Sequence, residues 1–357
     1  MRLFKCQSCG QVLFFENRLC GRCGHQLGFI PELGELSALD PDVTDWIAEA
    51  VPSRKWRFCF NANHNVCNWL IDAASPETFC VACRHNRTVP DRSVPDNVAA
   101  WGRMELAKHR LFYTLLRLGL PTPNRHDDPQ SGLVFDFLAD PPSSGAPKVM
   151  TGHDEGLITL ALAEADDAER EARRARMGEP YRTLLGHFRH EVGHFYWDRL
   201  VRDRHQQDAF RAIFGDDRID YNQSLKRHYQ EGPPPNWQES FVSAYATAHA
   251  WEDWAETWAH YLHIVDGLET ARSFDLTARP GVDTEGVLQT HTGFDPYVEP
   301  DFNRLAESWL PLTIALNAMN QSMGQGDLYP FVLSPTVISK LGFIHDIVHA
   351  QRGPARD

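Results

Sequence analysis

The segment His187-Phe188-Arg189-His190-Glu191-Val192-Gly193-His194-Phe195 sets His190 and His194 four residues apart, with Glu191 directly after the first. Side chains four apart on an α-helix stand one turn apart on the same face. Two imidazoles so placed can ligate one Zn²⁺, and Glu191 sits beside them to handle the protons of an attacking water, the logic of an HExxH motif. Leu185, Phe188, Val192 and Phe195 add an apolar stripe, which predicts a core-packed helix starting after Pro180 and running to about Asp203. Gly193 is costly inside a helix and marks a place where another backbone or a substrate comes close.

Two histidines leave a catalytic zinc short of its usual three protein ligands. The leading source of the third is Trp251-Glu252-Asp253-Trp254-Ala255-Glu256-Thr257-Trp258, on a helix expected from about Glu239 to Asp266. Tyr245, His249, Glu252, Glu256 and His260 or His263 recur at spacings of three and four as one polar face, opposite an apolar face of Trp251, Trp254, Trp258 and Leu262. Glu252 is read as the third ligand, and Glu256 as the acceptor that fixes the tautomer of His190. Asp253 and His249 are the next ligand candidates. Tyr245, two turns up the same face, is placed to donate to the oxyanion of a tetrahedral intermediate, a role His249 could also fill.

All 8 cysteines lie between Cys6 and Cys83, and the rest of the 357-residue chain has none. Such clustering argues for metal sites in an N-terminal module rather than a disulfide framework. Cys6, Cys9, Cys20 and Cys23 have the paired-knuckle spacing of a four-cysteine zinc ribbon, with glycines after each CxxC for the tight turns. Four thiolates saturate tetrahedral zinc, so this site is structural. Cys59, Cys67, Cys80 and Cys83 form a second structural site, in which His64 is the alternative to one of the first pair.

A hydrophobic content of 42% and a charged content of 23% are those of an ordinary globular chain, of a length that suggests two or three domains. No apolar run suits a membrane span, and the start has no signal-peptide core, so the expectation is a cytoplasmic protein with reduced thiols. The net charge of −13 falls on residues 96–357, which hold 25 basic against 38 acidic residues, while residues 1–95 are balanced at 10 and 10. An acidic body disfavours a nucleic-acid partner. Around these motifs we expect a short helix over Val43–Val51, a long helix from Asp96 stopped by Gly119 and Pro121, and a mostly helical tail over 300–350. A strand at 156–162 is expected to pair with an extended peptide by β-augmentation.

Residues 180–200 and 245–263 resemble the bacterial zinc-binding metallopeptidases that carry an N-terminal zinc ribbon. The likeness extends over nearly the whole chain, both cysteine groups included. It implies a zincin-like catalytic domain of the glutamate-ligand type. The combined expectation is an α+β chain with a zinc-ribbon region over 1–95 and a mostly helical zincin-like domain with a small sheet over 96–357. It would hold one catalytic and two structural zinc ions and act as a hydrolase on a peptide or protein substrate. Two alternatives stand beside it: a zinc-ribbon adaptor on an inactive scaffold, and a zinc hydrolase of non-peptide amides.

Overall fold

The computed structural model describes residues 1–141, 148–177 and 182–351. They form two compact units. One comprises Met1–Arg117 and Pro121–Arg176, and the other Leu118–Leu120 and Met177–Asp357. With eight α-helices and three sheets among the described residues, the chain is α+β. None of the helices is long and apolar enough to cross a membrane.

The first unit opens with the short pair β1 (Phe4–Lys5) and β2 (Val12–Leu13). An antiparallel meander follows: β3 (Gln26–Ile30), β4 (Glu35–Asp42), β5 (Asp45–Ala48), β6 (Lys55–Phe58) and β7 (Leu70–Asp72). Ile30, Leu39, Ala48, Trp56 and Leu70 form its core. Gly28 is required where β3 passes the Leu70 side chain, because a Cβ there would lie 2.6 Å from Leu70 Cγ. The helix expected over Val43–Val51 is instead the β4–β5 turn and strand β5. Val43 adopts φ 51°, and Trp46 pairs with Pro41 on one side and Trp56 on the other. Six apolar residues in nine fit either period, and cross-strand aromatic pairing favours the pleated one.

After β8 (Asn86–Thr88) comes the long helix α1 (Pro95–Arg117), closed by Gly119 at φ 69°. Then β9 (Val134–Leu138), β10 (Gly152–Asp154) and β11 (Leu157–Ala161) join β8 in a four-stranded sheet of order β10-β11-β9-β8, and α2 (Asp167–Met177) completes the unit. Strand β11, expected to recruit an extended peptide, lies inside this sheet. It pairs with β10 on one side and β9 on the other, so it has no free edge for augmentation. Its sequence showed a strand but not its neighbours.

The second unit is helical: α3 (Leu184–Trp197), α4 (Gln207–Phe214), α5 (Tyr221–Glu231), α6 (Ala250–Ser273), α7 (Phe302–Ser322) and α8 (Pro335–Ala350). Pro180 and Tyr181, where the first of these was expected to begin, lie outside the described residues. Thr183 caps α3 by accepting the Gly186 N–H at 3.0 Å, and after Trp197 the chain continues as a π-helical turn, Asp198–Arg202. Helix α6 starts eleven residues later than the tryptophan periodicity suggested. His249 turns extended and caps it, and Tyr245 sits in a separate 3₁₀ turn, Tyr245–Ala248. Trp254 and Trp258 are fully buried in the core, each worth roughly 1.5–3 kcal/mol if it is credited like another large apolar side chain.

Candidate active site and metal centres

Helices α3 and α6 meet at Gly193. A Cβ there would lie 3.1 Å from both Ala255 Cα and Trp258 Cδ1, and the Trp254 indole donates to the Gly193 carbonyl at 2.8 Å. The glycine is thus the price of close helix–helix approach, and the approach aligns three donors. His190 Nε2 lies 3.1 Å from Glu252 Oε2, and His194 Nε2 lies 3.6 Å from Glu252 Oε1. His194 and Glu252 are almost wholly buried, and His190 is partly so.

This donor set fits a zinc ion. Two imidazoles and one carboxylate are the usual protein ligands of a hydrolytic zinc. Glu252 Oε2 is buried and its close contact is with His190 Nε2, so a carboxylate oxygen and a ring nitrogen face each other in the middle of the cluster. Burial alone would raise the Glu252 carboxyl, but the His194 and His190 imidazoles outweigh it and hold its pKa well below the usual range. His190 is the mirror case: burial pushes it down, and the Glu252 and Glu256 carboxylates raise it well above an ordinary histidine.

Each remaining residue has a definite place. Glu256 Oε1 accepts from His190 Nδ1 at 2.7 Å, and its Oε2 accepts the Ser243 hydroxyl at 2.6 Å. Glu191 is half-buried beside the donors. Burial raises its pKa, partly offset by the two histidines. The Tyr245 ring is 6.0 Å from the His190 ring, and its hydroxyl makes no hydrogen bond among the described residues. Burial raises its pKa, so it stays a donor. The Trp251 ring lies 3.9 Å from that of His194 and walls that side.

The two reserve ligands are elsewhere. Asp253 points into a buried ion pair with Lys340 at 2.6 Å, and His249 is tied to the Trp251 N–H and the Ile219 carbonyl. His260 bonds the Tyr329 hydroxyl, and His263 receives an Arg189 N–H, so neither joins the donor set. Sequence reasoning missed Tyr221, whose hydroxyl donates to Glu252 Oε1 at 2.6 Å, and Ser243. Neither carries a spacing signal toward the motif it serves.

In the first unit Cys6, Cys9, Cys20 and Cys23 converge, with Sγ–Sγ distances of 3.7 Å (Cys6–Cys23) and 3.6 Å (Cys9–Cys20). Thiolates about 2.3 Å from a tetrahedral ion stand roughly 3.8 Å apart, so the knuckles fit zinc. Gly10 and Gly24, at φ 75° and 77°, make the turns after each CxxC. Cys59, Cys67, Cys80 and Cys83 also converge, all buried. His64 is not with them and faces Arg92. The histidine that does approach is His109 of α1, with Nε2 3.4 Å from Cys67 Sγ and 3.7 Å from Cys83 Sγ.

Residues 97–347 match the family described as "Putative zinc-binding metallo-peptidase", and residues 3–94 match a zinc-ribbon domain family. The chain belongs to this zinc-binding metallopeptidase family, with a zinc-ribbon region ahead of its helical domain. Proteins described as uncharacterized from Mycobacterium bovis and from two strains of Mycobacterium tuberculosis are each 44% identical to it over 355 residues, covering 98% of this chain and 95% of theirs. No solved structure matches the chain.

Proposed function

We propose that this chain is a zinc-dependent peptidase with Glu191 as its general base. The observation that carries the reading is the convergence of His190, His194 and Glu252 on one point beside Glu191, with Glu256 holding the far nitrogen of His190. His190, His194 and Glu252 would hold the catalytic zinc, and the two cysteine clusters one structural zinc each. When bound, such an ion acidifies a water and polarises the scissile carbonyl.

The chain's own groups do the rest. Glu191 takes a proton from the attacking water and returns it to the leaving amine, and its raised pKa brings it nearer the working range of a base. Tyr245 donates its uncommitted hydroxyl to the developing oxyanion. Glu256 and Ser243 keep His190 oriented, and Tyr221 does the same for Glu252.

The test compares purified wild type with Glu191→Gln on a proteome-derived peptide library. The variant is expected to keep three zinc equivalents and lose hydrolysis by about 10²-fold or more. Equal rates would overturn the mechanism. Glu252→Ala is expected to lose one zinc equivalent, and retention of all three would remove Glu252 from the ligand set.

A further inference from the structure

We propose that the first unit carries a binding site for a nucleoside monophosphate, built by Asn61, Arg84 and Arg92 together with the rings of Phe60, Phe79 and Trp101. These residues line a cavity of about 580 Å³, within the size range of small-molecule sites. This inference does not rest on the peptidase reading.

Some of the polar groups that line the cavity keep hydrogen-bonding capacity to spare. Asn61 is 5% exposed, yet its side-chain amide makes no hydrogen bond among the described residues. An amide so placed can offer an occupant both a donor and an acceptor. The Nε of Arg84 is buried and has no hydrogen-bond partner among the described residues. The nearest carboxylate to its guanidinium, Asp127, is 3.9 Å away, an attraction without a hydrogen bond. Arg92 gives one N–H, to His64. A third lining arginine, Arg87, is already committed to Asp136 through two N–H groups.

Each guanidinium carries five donors, so Arg84 and Arg92 together offer more than a single carboxylate can accept. A terminal phosphate, with its three oxygens, matches that surplus. The remainder of the ligand follows from the rings. Phe60 and Phe79 are 44% and 37% exposed with centroids 5.8 Å apart, which leaves aromatic faces open for a planar ring to stack on. The Asn61 amide has the paired donor and acceptor that read the edge of a heterocyclic base. Glu77 and Asp127 also line the cavity and work against a long polyanion, so the fit is to a mononucleotide and not to a nucleic-acid strand.

Calorimetric titration of the zinc-loaded full chain with AMP, GMP, CMP and UMP, and with inorganic phosphate, tests this. At least one nucleotide is expected to bind saturably, at least tenfold more tightly than phosphate. Arg84→Gln and Asn61→Ala are expected to weaken it at least tenfold with the zinc content unchanged, and Glu191→Gln to bind it as wild type does. Should Asn61→Ala fail to fold, Arg84→Gln and Arg92→Gln decide the matter from the surface side. Absence of saturable binding by all four nucleotides, phosphate binding as tightly as they do, or indifference to both arginine substitutions would overturn the proposal.

Discussion

His190 Nδ1 lies 2.7 Å from Glu256 Oε1, a contact that turns Nε2 toward Glu252 and the donor cluster. Carboxylate partners of this kind raise ligand basicity and fix ring orientation. Glu256→Gln is therefore expected to weaken zinc at this site by 10- to 100-fold, read by chelator competition, while the cysteine-bound metals are unaffected. Unchanged affinity would mean that Glu256 orients nothing.

The two tyrosines are expected to separate cleanly. Tyr221 donates to Glu252 at 2.6 Å, whereas the Tyr245 hydroxyl is uncommitted. Tyr221→Phe should raise the zinc requirement about tenfold or more and leave kcat near normal once zinc is saturating. Tyr245→Phe should leave zinc affinity alone and lower kcat by about 10²-fold. Activity measured across a zinc titration distinguishes the two, and the reverse pattern would exchange their roles.

Lys340 of α8 reaches Asp253 at 2.6 Å and also donates to the Ser240 carbonyl. Both partners of the ion pair are almost fully buried, and burial pushes the Asp253 carboxyl up to about 7 although Lys340 pulls it back. Lys340→Met leaves a buried carboxylate unpaired and should cost about 3–5 kcal/mol in urea unfolding. Adding Asp253→Leu should recover most of that loss. A double variant as unstable as the single one would show that the pair acts through packing and not charge.

Acid sensitivity is expected from two buried histidines. Burial pushes His260 down to about 4, and His263 is lowered well below its ordinary value, by burial and then by Arg189. A histidine depressed in the fold is protonated more readily in the unfolded chain. Its stability contribution is therefore complete above about pH 6.5 and is lost as pH falls toward 4. For His260 the span corresponds to about 3 kcal/mol. His260→Gln is expected to flatten the stability profile between those pH values by that order, measured by denaturant titration at each pH. An unchanged slope would place the acid sensitivity elsewhere.

What could be read from the chain was whatever lies within a few turns of helix or one knuckle. His190, Glu191 and His194 lie within about one turn, and the CxxC pairs Cys6–Cys9 and Cys20–Cys23 are each closed by a glycine, so local geometry determined their placement. Glu252 and Glu256 were legible because a helix face repeats. The same periodicity misplaced Tyr245, since nothing in the spacing announces that His249 turns extended and starts a new helix. Partners supplied by tertiary packing left no trace in the spacing: Tyr221 is 31 residues from Glu252, and His109 is 42 from Cys67. The central position of β11 was hidden for the same reason, because pairing partners are chosen across the fold.

The contact at Gly193 sets how the protein would lose and regain its metals. In the second unit the donors stand on two rods whose separation is fixed by main chain touching main chain. Stripping the ion from such a frame leaves the frame, so the emptied cradle would refill without refolding. The knuckles differ: Cys6, Cys9, Cys20 and Cys23 ride on short turns beside two-residue strands, so the placing of their thiolates depends on the ion they would hold. A chelator would thus find two kinds of vacancy in one chain, one that waits open for its metal and one that comes apart when the metal leaves.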